Sequence, residues 1–216
     1  MKHIIRRYTD LTRANHWFVA GFFICAGLSG LAIFHPALFF FSNLFGGGQW
    51  TRILHPFFGL LMVVGFALLF IQFWHENLWK PIDTQWVKKA PELIIKGDED
   101  AMPPVGKYNA GQKGVFWLFT ICLLLLLVTG FMFWRPWFVD YFPITLRRIA
   151  VLVHSLSAIA LILGVITHVY AAIWVKGSVH AMMRGTVTYN WARKHHLLWY
   201  REIVAEESAA ERRMKG

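Results

Sequence analysis

The stretch IAVLVHSLSAIALILGVITHVYAAIWV, residues 149–175, is long and apolar enough to cross a lipid bilayer, because about 20 apolar residues span a hydrocarbon core of roughly 30 Å. It nevertheless contains two imidazole side chains, His154 and His168. Ionisable groups are costly at membrane depth and usually mark a functional site. The stretch therefore predicts a transmembrane helix that carries a site.

The spacing of these two histidines indicates what they bind. Fourteen residues separate them, and an α-helix of that length rotates about 1,400°, close to four full turns, while it rises roughly 21 Å. Both rings therefore leave one face at two depths, too far apart for one metal ion, since a zinc–nitrogen bond is only about 2 Å long. Histidine is a common axial ligand of haem iron, so one helix that gives one ligand to each of two stacked haems explains the spacing. Two unrelated packing histidines are the alternative.

The composition is that of an integral membrane protein. Of 216 residues, 56% are hydrophobic and 16% are charged, and the mean hydropathy is +0.45. The net charge of +10 lies in the connections between apolar segments, so we expect membrane lipid and no nucleic acid as a partner. Cys25 and Cys122 lie inside apolar runs and form no C-x-x-C-H motif, which excludes thioether-linked haem and cysteine-held iron–sulfur clusters.

Four apolar runs of spanning length predict an all-α integral membrane protein, a four-transmembrane-helix bundle that binds two stacked b haems and forms a single membrane domain over residues 1–216. We expect a polar loop at about 75–110, with a short interfacial helix near 84–96, and a basic, aromatic tail at about 176–216 on the membrane surface. The predicted helices cover residues 14–34, 52–74, 111–134 and 149–175.

Lysine and arginine are distributed unequally between the two sides of this bundle. The N-terminal arm, the polar loop and the tail carry eighteen of them, whereas the segments on the other side carry four, Arg52, Arg135, Arg147 and Arg148. Basic residues accumulate on the cytoplasmic side of membrane proteins. We therefore expect a multi-pass protein with both termini in the cytoplasm.

This topology assigns a partner to each histidine of the fourth helix. The second helix begins outside, so His55 shares a level with His154, and these two form the outer pair. The first helix begins inside, so His16 shares a level with His168, and these two form the inner pair. His75 follows His55 by twenty residues, a net rotation of roughly 200°, and is expected to face away. The other histidines are expected to be interfacial or solvated: His3, His35, His180, His195 and His196.

Glycine placement agrees with two stacked haems. Gly30 follows His16 by the same fourteen residues and therefore lies on the haem-facing side at the outer level, where a side chain would meet a porphyrin edge. Close packing of membrane helices on small residues is the alternative explanation.

Seven motifs follow one another along nearly the whole chain: NHW at 15–17, RILHPFFG at 52–59, GKYNAGQK at 106–113, FWRPWF at 133–138, LVHSLSA at 152–158, HVYAAIWVKG at 168–177 and WARKHHLLWYRE at 191–202. In this order they resemble the motifs of the cytochrome b (gamma) subunit of respiratory formate dehydrogenase and, more distantly, those of the cytochrome b subunit of nickel–iron hydrogenase. One departure is KHHLLWYRE near the C-terminus, where a proline is expected after the histidine pair.

The resemblance implies cofactors, site residues and partners. It implies two haem b groups whose iron is bound by His16, His55, His154 and His168, and a menaquinone or ubiquinone site formed by Asn109, Gly111, Gln112 and His168. The amides of the 109–112 turn suit quinone carbonyls, although Asn109 is also a good helix N-cap type. The implied partners are an iron–sulfur subunit and a molybdenum or tungsten catalytic subunit in a bacterial cytoplasmic membrane.

The expected function is that of an electron-transfer subunit. The sequence has no flavin, nicotinamide, molybdenum or iron–sulfur motif, so the chain has no substrate-oxidising site of its own. We expect electrons from an iron–sulfur subunit at the outer face to pass through two haems to a quinone near the cytoplasmic face; formate as the donor rests on the resemblance. A hydrogenase cytochrome b, a stand-alone b-type cytochrome quinone oxidoreductase and a non-redox transporter or anchor are the alternatives.

Overall fold

The computed structural model of the chain describes residues 4–98, 101–135 and 137–215, so that His3 lies outside the described residues. Helices dominate it. In chain order the regular elements are β1 (Ile4–Arg6), α1 (Asp10–Phe34), α2 (Gly48–Phe73), α3 (Pro81–Pro91), α4 (Ala110–Phe133), α5 (Ile144–Trp174), α6 (Ser178–Arg184), β2 (Thr186–Thr188), α7 (Tyr189–His195) and α8 (Leu197–Lys215).

Helices α1, α2, α4 and α5 have the length and composition of membrane spans. Large apolar side chains on them point outward; Ile71 is 68% exposed and Ile166 is 60% exposed. A helix that is apolar on every side suits lipid on its outer face. The prediction of an all-α protein with four transmembrane helices is therefore confirmed.

Contacts within the chain define two compact units. The helical unit comprises Asp10–Gln72 and Trp117–Tyr170. The terminal unit comprises the described residues within Met1–Thr9, Phe73–Phe116 and Ala171–Gly216. The prediction of a single membrane domain stays a prediction.

The helical unit packs through small residues at two helix crossings. A methyl group added at Gly65 would lie 2.7 Å from Val19, and the Asn15 side chain donates a hydrogen bond of 2.8 Å to the Gly65 carbonyl. A methyl group added at Gly164 would lie 2.8 Å from Leu118. Side chains of α1 and α4 therefore occupy the space that these glycines leave on α2 and α5, and small residues are common at such contacts between membrane helices.

The terminal unit contains a small antiparallel ribbon that the sequence did not predict. Strand β1 pairs with β2 with Ile5 opposite Val187, and both of these side chains are buried. They join Ala181, Ala192 and Trp199 in a separate apolar cluster. Strands of three residues are too short to show the alternation by which strands are recognised.

The polar loop is largely helical. Helix α3 begins at Pro81, a favoured first helical residue, and a π-helical turn, Glu92–Lys96, follows it. The Asp83 carboxylate accepts a hydrogen bond of 2.7 Å from the Lys80 backbone N–H at the helix start.

The observed membrane helices begin earlier than predicted because polar residues form their first turns, where helix limits are least certain from sequence. A 3₁₀ helix, Pro36–Phe45, fills the connection between α1 and α2.

Candidate haem and quinone sites

The helical unit brings the four predicted haem ligands together as two facing imidazole pairs. The ring centres of His55 on α2 and His154 on α5 are 6.3 Å apart. The ring centres of His16 on α1 and His168 on α5 are also 6.3 Å apart. The pairs lie at two levels because α5 carries one member of each, fourteen residues apart.

This separation fits a metal ion between two imidazoles. A metal–imidazole bond is about 2 Å long, and the ring centre lies roughly 1 Å behind the bonding nitrogen, so two ligands on opposite sides of one ion have ring centres roughly 6 Å apart. Both pairs meet that value. The donor set also fits, because histidine is a common axial ligand of haem iron. The four residues therefore suit two bis-histidine haems.

Two hydroxyl groups lie within hydrogen-bond distance of the outer pair, and the sequence did not predict them. Ser29 Oγ lies 2.9 Å from His55 Nδ1, and Thr129 Oγ1 lies 3.0 Å from His154 Nδ1. A small hydroxyl residue in a membrane helix is usually explained by close helix packing. Only their contact with an imidazole distinguishes Ser29 and Thr129 from other serine and threonine residues, and the sequence does not show that contact.

The inner pair is surrounded mainly by aromatic rings. Trp17 lies against His16 with 5.3 Å between ring centres, and Phe119 lies 6.0 Å from His168. The Nδ1 atom of His16 is buried and has no hydrogen-bond partner among the described residues. The two pairs therefore share their spacing but differ in their polar surroundings.

Two glycines lie beside the imidazoles of the outer pair. A methyl group added at Gly30 would lie 3.1 Å from His55 Cε1, and one added at Gly130 would lie 3.5 Å from His154 Cε1. The absence of a side chain at Gly30 therefore leaves space for the His55 imidazole. The sequence predicted that Gly30 leaves space for a porphyrin edge, and the structure adds this second reason for a glycine.

The predicted quinone residues lie at the start of α4, except for His168, which belongs to the helical unit. Asn109 Oδ1 accepts a hydrogen bond of 2.9 Å from the Gln112 backbone N–H, and Gln112 Oε1 accepts one of 3.0 Å from the Asn109 backbone N–H. This reciprocal arrangement is a capping box. The capping box uses the side-chain oxygens of Asn109 and Gln112 as acceptors. The side-chain NH₂ groups of both residues are left to donate elsewhere.

Helix α3 lies against this turn. A methyl group added at Gly111 would lie 3.2 Å from Trp86 Cη2. Two residues later, Lys113 Nζ donates to Asp83 Oδ2 at 2.7 Å and to the Leu78 carbonyl at 3.0 Å. The ion pair joins α3 to the first turn of α4 and so fixes the turn that carries Asn109.

His196 differs from its expected place. It is only 3% exposed, and its Nδ1 lies 2.8 Å from the Gly106 carbonyl. Burial, together with the nearby Arg7 cation, lowers the pKa of His196 to about 3. Arg7 is itself buried and lies over the rings of Trp199 and Trp191. The expectation of a solvated His196 was wrong, because tertiary packing buries a residue that follows two basic residues and a histidine.

Residues 7–185 match the sequence profile of a family described as prokaryotic cytochrome b561. This chain belongs to the prokaryotic cytochrome b561 family. A cytochrome b carries haem b, so membership implies that cofactor. Together with its four apolar helices, membership makes the chain a multi-pass membrane protein.

Curated relatives in this family are named as subunits of formate dehydrogenase. The cytochrome b556(fdo) subunit of Escherichia coli K12 is 44% identical over 199 residues, 92% of this chain and 93% of the relative. The nitrate-inducible cytochrome b556(Fdn) subunit of the same strain is 42% identical over 208 residues, 96% and 95% of the two chains. The cytochrome b556 subunit of Haemophilus influenzae is 42% identical over 201 residues, 93% of this chain and 84% of the relative. The resemblance inferred from the motifs is confirmed.

Proposed function

We propose that this cytochrome b561 family member is the di-haem membrane-anchor subunit of a formate dehydrogenase. In this role it carries electrons from an iron–sulfur subunit at the outer face to a quinone reduced near the cytoplasmic face. The observation that supports the role most directly is the pair of imidazole couples, each with 6.3 Å between ring centres. Relatives that span nearly the whole chain support formate as the ultimate donor, since their names include formate dehydrogenase.

The four histidines are proposed as the haem ligands. His55 and His154 would hold one haem, and His16 and His168 the other. When bound, haem b supplies a one-electron carrier at each level, which suits transfer between an iron–sulfur donor and a quinone. The helices supply the fixed ligand spacing, and an apolar core that includes Met62, Leu123 and Leu161 excludes water from the helical unit.

The distribution of charge supports the proposed orientation. Eighteen of the twenty-two lysine and arginine residues lie in the N-terminal arm, the loop and the tail, which would place both termini in the cytoplasm of a bacterium. The outer pair would then lie nearer the face where an iron–sulfur subunit docks, with a molybdenum or tungsten catalytic subunit beyond it. Because the chain has no substrate-oxidising motif of its own, this assembly would be obligatory for activity.

A quinone site at the turn before α4 is proposed as the exit for electrons. A quinone carbonyl accepts hydrogen bonds, and the NH₂ groups of Asn109 and Gln112 are donors that the capping box leaves available. Menaquinone or ubiquinone would take two electrons and two protons there, with the protons drawn from the cytoplasmic side. His168, a proposed ligand of the inner haem, is also proposed as a quinone residue because the resemblance implies it.

The alternatives differ in partners or in cofactor content. A hydrogenase cytochrome b or a stand-alone b-type cytochrome would hold the same haems, but the names of the curated relatives favour formate dehydrogenase. A non-redox transporter or anchor gives no reason for two imidazole pairs at metal-bridging distance. Family membership also disfavours it.

The test is the haem content and the composition of the purified complex. Affinity purification of the full chain from its own bacterium, in mild detergent, should recover an iron–sulfur subunit and a molybdenum or tungsten subunit. Pyridine haemochrome analysis should give about two haem b per chain, and formate should reduce both. A ratio of one or zero would contradict the di-haem assignment, whereas two haems without such partners would favour the stand-alone cytochrome.

A further inference from the structure

We propose that Ser29 and Thr129 are positioning residues that orient the two imidazoles of the outer pair. Each hydroxyl accepts a hydrogen bond from the Nδ1–H of one imidazole. These bonds lower the reduction potential of the haem iron that the two imidazoles would hold. The inference rests on the proposed assignment of His55 and His154 as haem ligands. It concerns two hydroxyl groups of the chain itself, one on α1 and one on α4.

The direction of each hydrogen bond follows from the position of the single hydroxyl proton. Ser29 Oγ lies 2.6 Å from the Cys25 carbonyl oxygen, and Thr129 Oγ1 lies 2.5 Å from the Leu125 carbonyl oxygen. Two oxygens this close need a proton between them, so each hydroxyl donates to the carbonyl one helical turn earlier. The hydroxyl then has only lone pairs to offer the imidazole.

The contacts to the imidazoles have the length of N–H···O bonds. They measure 2.9 Å for His55 and 3.0 Å for His154, the most common length for an N–H donor and an oxygen acceptor. Each imidazole also has a backbone carbonyl as a hydrogen-bond partner, that of Ala26 for His55 and that of Leu126 for His154, and a carbonyl can only accept. Each Nδ1 therefore carries the proton, and each Nε2 keeps its lone pair. A metal-binding histidine needs this tautomer, and the hydrogen bond at the other nitrogen usually fixes it.

The same arrangement occurs once in each helix pair. In α1 Ser29 is followed by Gly30, and in α4 Thr129 is followed by Gly130. Each hydroxyl contacts the imidazole on the next membrane helix, and each glycine lies beside Cε1 of that same ring, where an added methyl group would be 3.1 Å away at Gly30 and 3.5 Å away at Gly130. Both ligands of the outer pair are thus fixed by matching groups.

Other hydroxyl residues in α5 make the backbone bond without contacting an imidazole. Ser155 Oγ donates to the Val151 carbonyl at 2.9 Å, and Thr167 Oγ1 donates to the Leu163 carbonyl at 3.0 Å. Each is adjacent in sequence to a proposed ligand. Donation to the preceding turn is therefore common in this chain, and the imidazole contact is the feature that distinguishes Ser29 and Thr129.

Among the residues that the structure describes, the inner pair has no equivalent arrangement. His16 Nδ1 has no hydrogen-bond partner among the described residues, and its ring contacts are aromatic. Hydrogen bonding at Nδ1 makes an imidazole a more basic ligand, and a more basic ligand favours oxidised iron. The outer site should therefore owe part of its potential to Ser29 and Thr129, whereas the inner site should be independent of them.

The test uses Ser29→Ala, Thr129→Val and the double variant in the full complex, with Ser155→Ala and Thr167→Val as matched controls. Spectroelectrochemical titration should show that the potential of one haem rises in each single variant and rises further in the double variant, while the other haem is unchanged. Haem retention at that site should weaken about 10- to 100-fold. Thr129→Ser, which keeps the hydroxyl, should keep the potential of the parent protein.

The outcomes separate this inference from the assignment on which it rests. If His55→Ala removes one haem but neither hydroxyl variant moves the potential of that haem, Ser29 and Thr129 are packing residues and the inference is wrong. Equal shifts at both haems, or equal shifts in the controls, would also overturn it. If His55→Ala leaves both haems in place, the ligand assignment fails and this inference fails with it.

Discussion

Lys113 Nζ lies 2.7 Å from Asp83 Oδ2, and the two side chains are only 4% and 1% exposed. Asp83 lies in the first turn of α3 and Lys113 lies in the first turn of α4. One buried ion pair therefore connects the loop helix to the segment that carries the proposed quinone residues. Asp83 also accepts a bond from the Lys80 backbone, and Lys113 also donates to the Leu78 carbonyl. Each charge is thus paired and hydrogen-bonded, which is the condition for burying it.

Lys113→Met should destabilise this region by about 3–5 kcal/mol, because it leaves the Asp83 carboxylate buried without its counter-charge. The melting temperature of the purified protein, followed by tryptophan fluorescence, measures the effect. Glu76→Gln is the matched control, since Glu76 pairs with Lys107 at 2.8 Å in a more exposed setting and should cost at most about 1 kcal/mol. Equal effects of the two substitutions would show that the buried pair contributes little.

His55→Ala should remove one haem and His16→Ala the other, while His75→Ala should leave both. The reason is geometric, since the first two face partners across 6.3 Å, whereas the ring of His75 stacks on Trp74 with 3.6 Å between centres. Haem content by pyridine haemochrome and reduced-minus-oxidised spectra measure the result. Loss of a haem in His75→Ala, with retention in His16→Ala, would show that the inner pair is wrongly assigned.

Stability should fall with acidification through His196. The pKa of the folded state is lowered from 6.5 to about 3 by burial, so below pH 6.5 the unfolded chain binds a proton that the folded chain does not. The contribution of His196 to the free energy of unfolding is constant above pH 6.5. It falls as the pH drops from 6.5 towards 3, by about 2 kcal/mol between pH 6.5 and pH 5. His196→Gln should flatten the melting temperature across this range, whereas His180→Gln, at an exposed position, should keep the slope. An unchanged slope in His196→Gln would assign the acid sensitivity to another group.

The sequence predicted the features that depend on spacing along one helix. The fourteen-residue interval in α5, combined with the expected topology, predicts that His55 pairs with His154 and that His16 pairs with His168. The features that depend on contacts between distant segments could not be found in this way. Ser29 and Thr129 are distinguished from other hydroxyl residues only by the imidazoles that they contact on neighbouring helices. Lys113 pairs with Asp83, thirty residues earlier in the chain. His196 is buried by tertiary packing, although the basic residues before it in the sequence suggest a solvated segment.

The capping box also sharpens the test of the proposed quinone site. A substitution such as Asn109→Leu would remove both the cap and the donor, and would therefore confuse helix stability with quinone binding. Asn109→Asp keeps the oxygen that accepts from the Gln112 backbone N–H but removes the NH₂ group. Gln112→Glu does the same at the other end of the box.

If these NH₂ groups bind a quinone carbonyl, each acidic variant should lose about 1–3 kcal/mol of binding free energy, a weakening of roughly 5- to 150-fold. Titration of a quinone analogue against the haem spectrum measures the affinity, and the melting temperature should stay close to that of the parent protein because the cap is intact. Both haems should remain, so formate should still reduce them while quinone reduction slows. Unchanged affinity in both variants, with Asn109→Leu lowering only the melting temperature, would leave Asn109 as a helix cap and move the quinone site away from this turn.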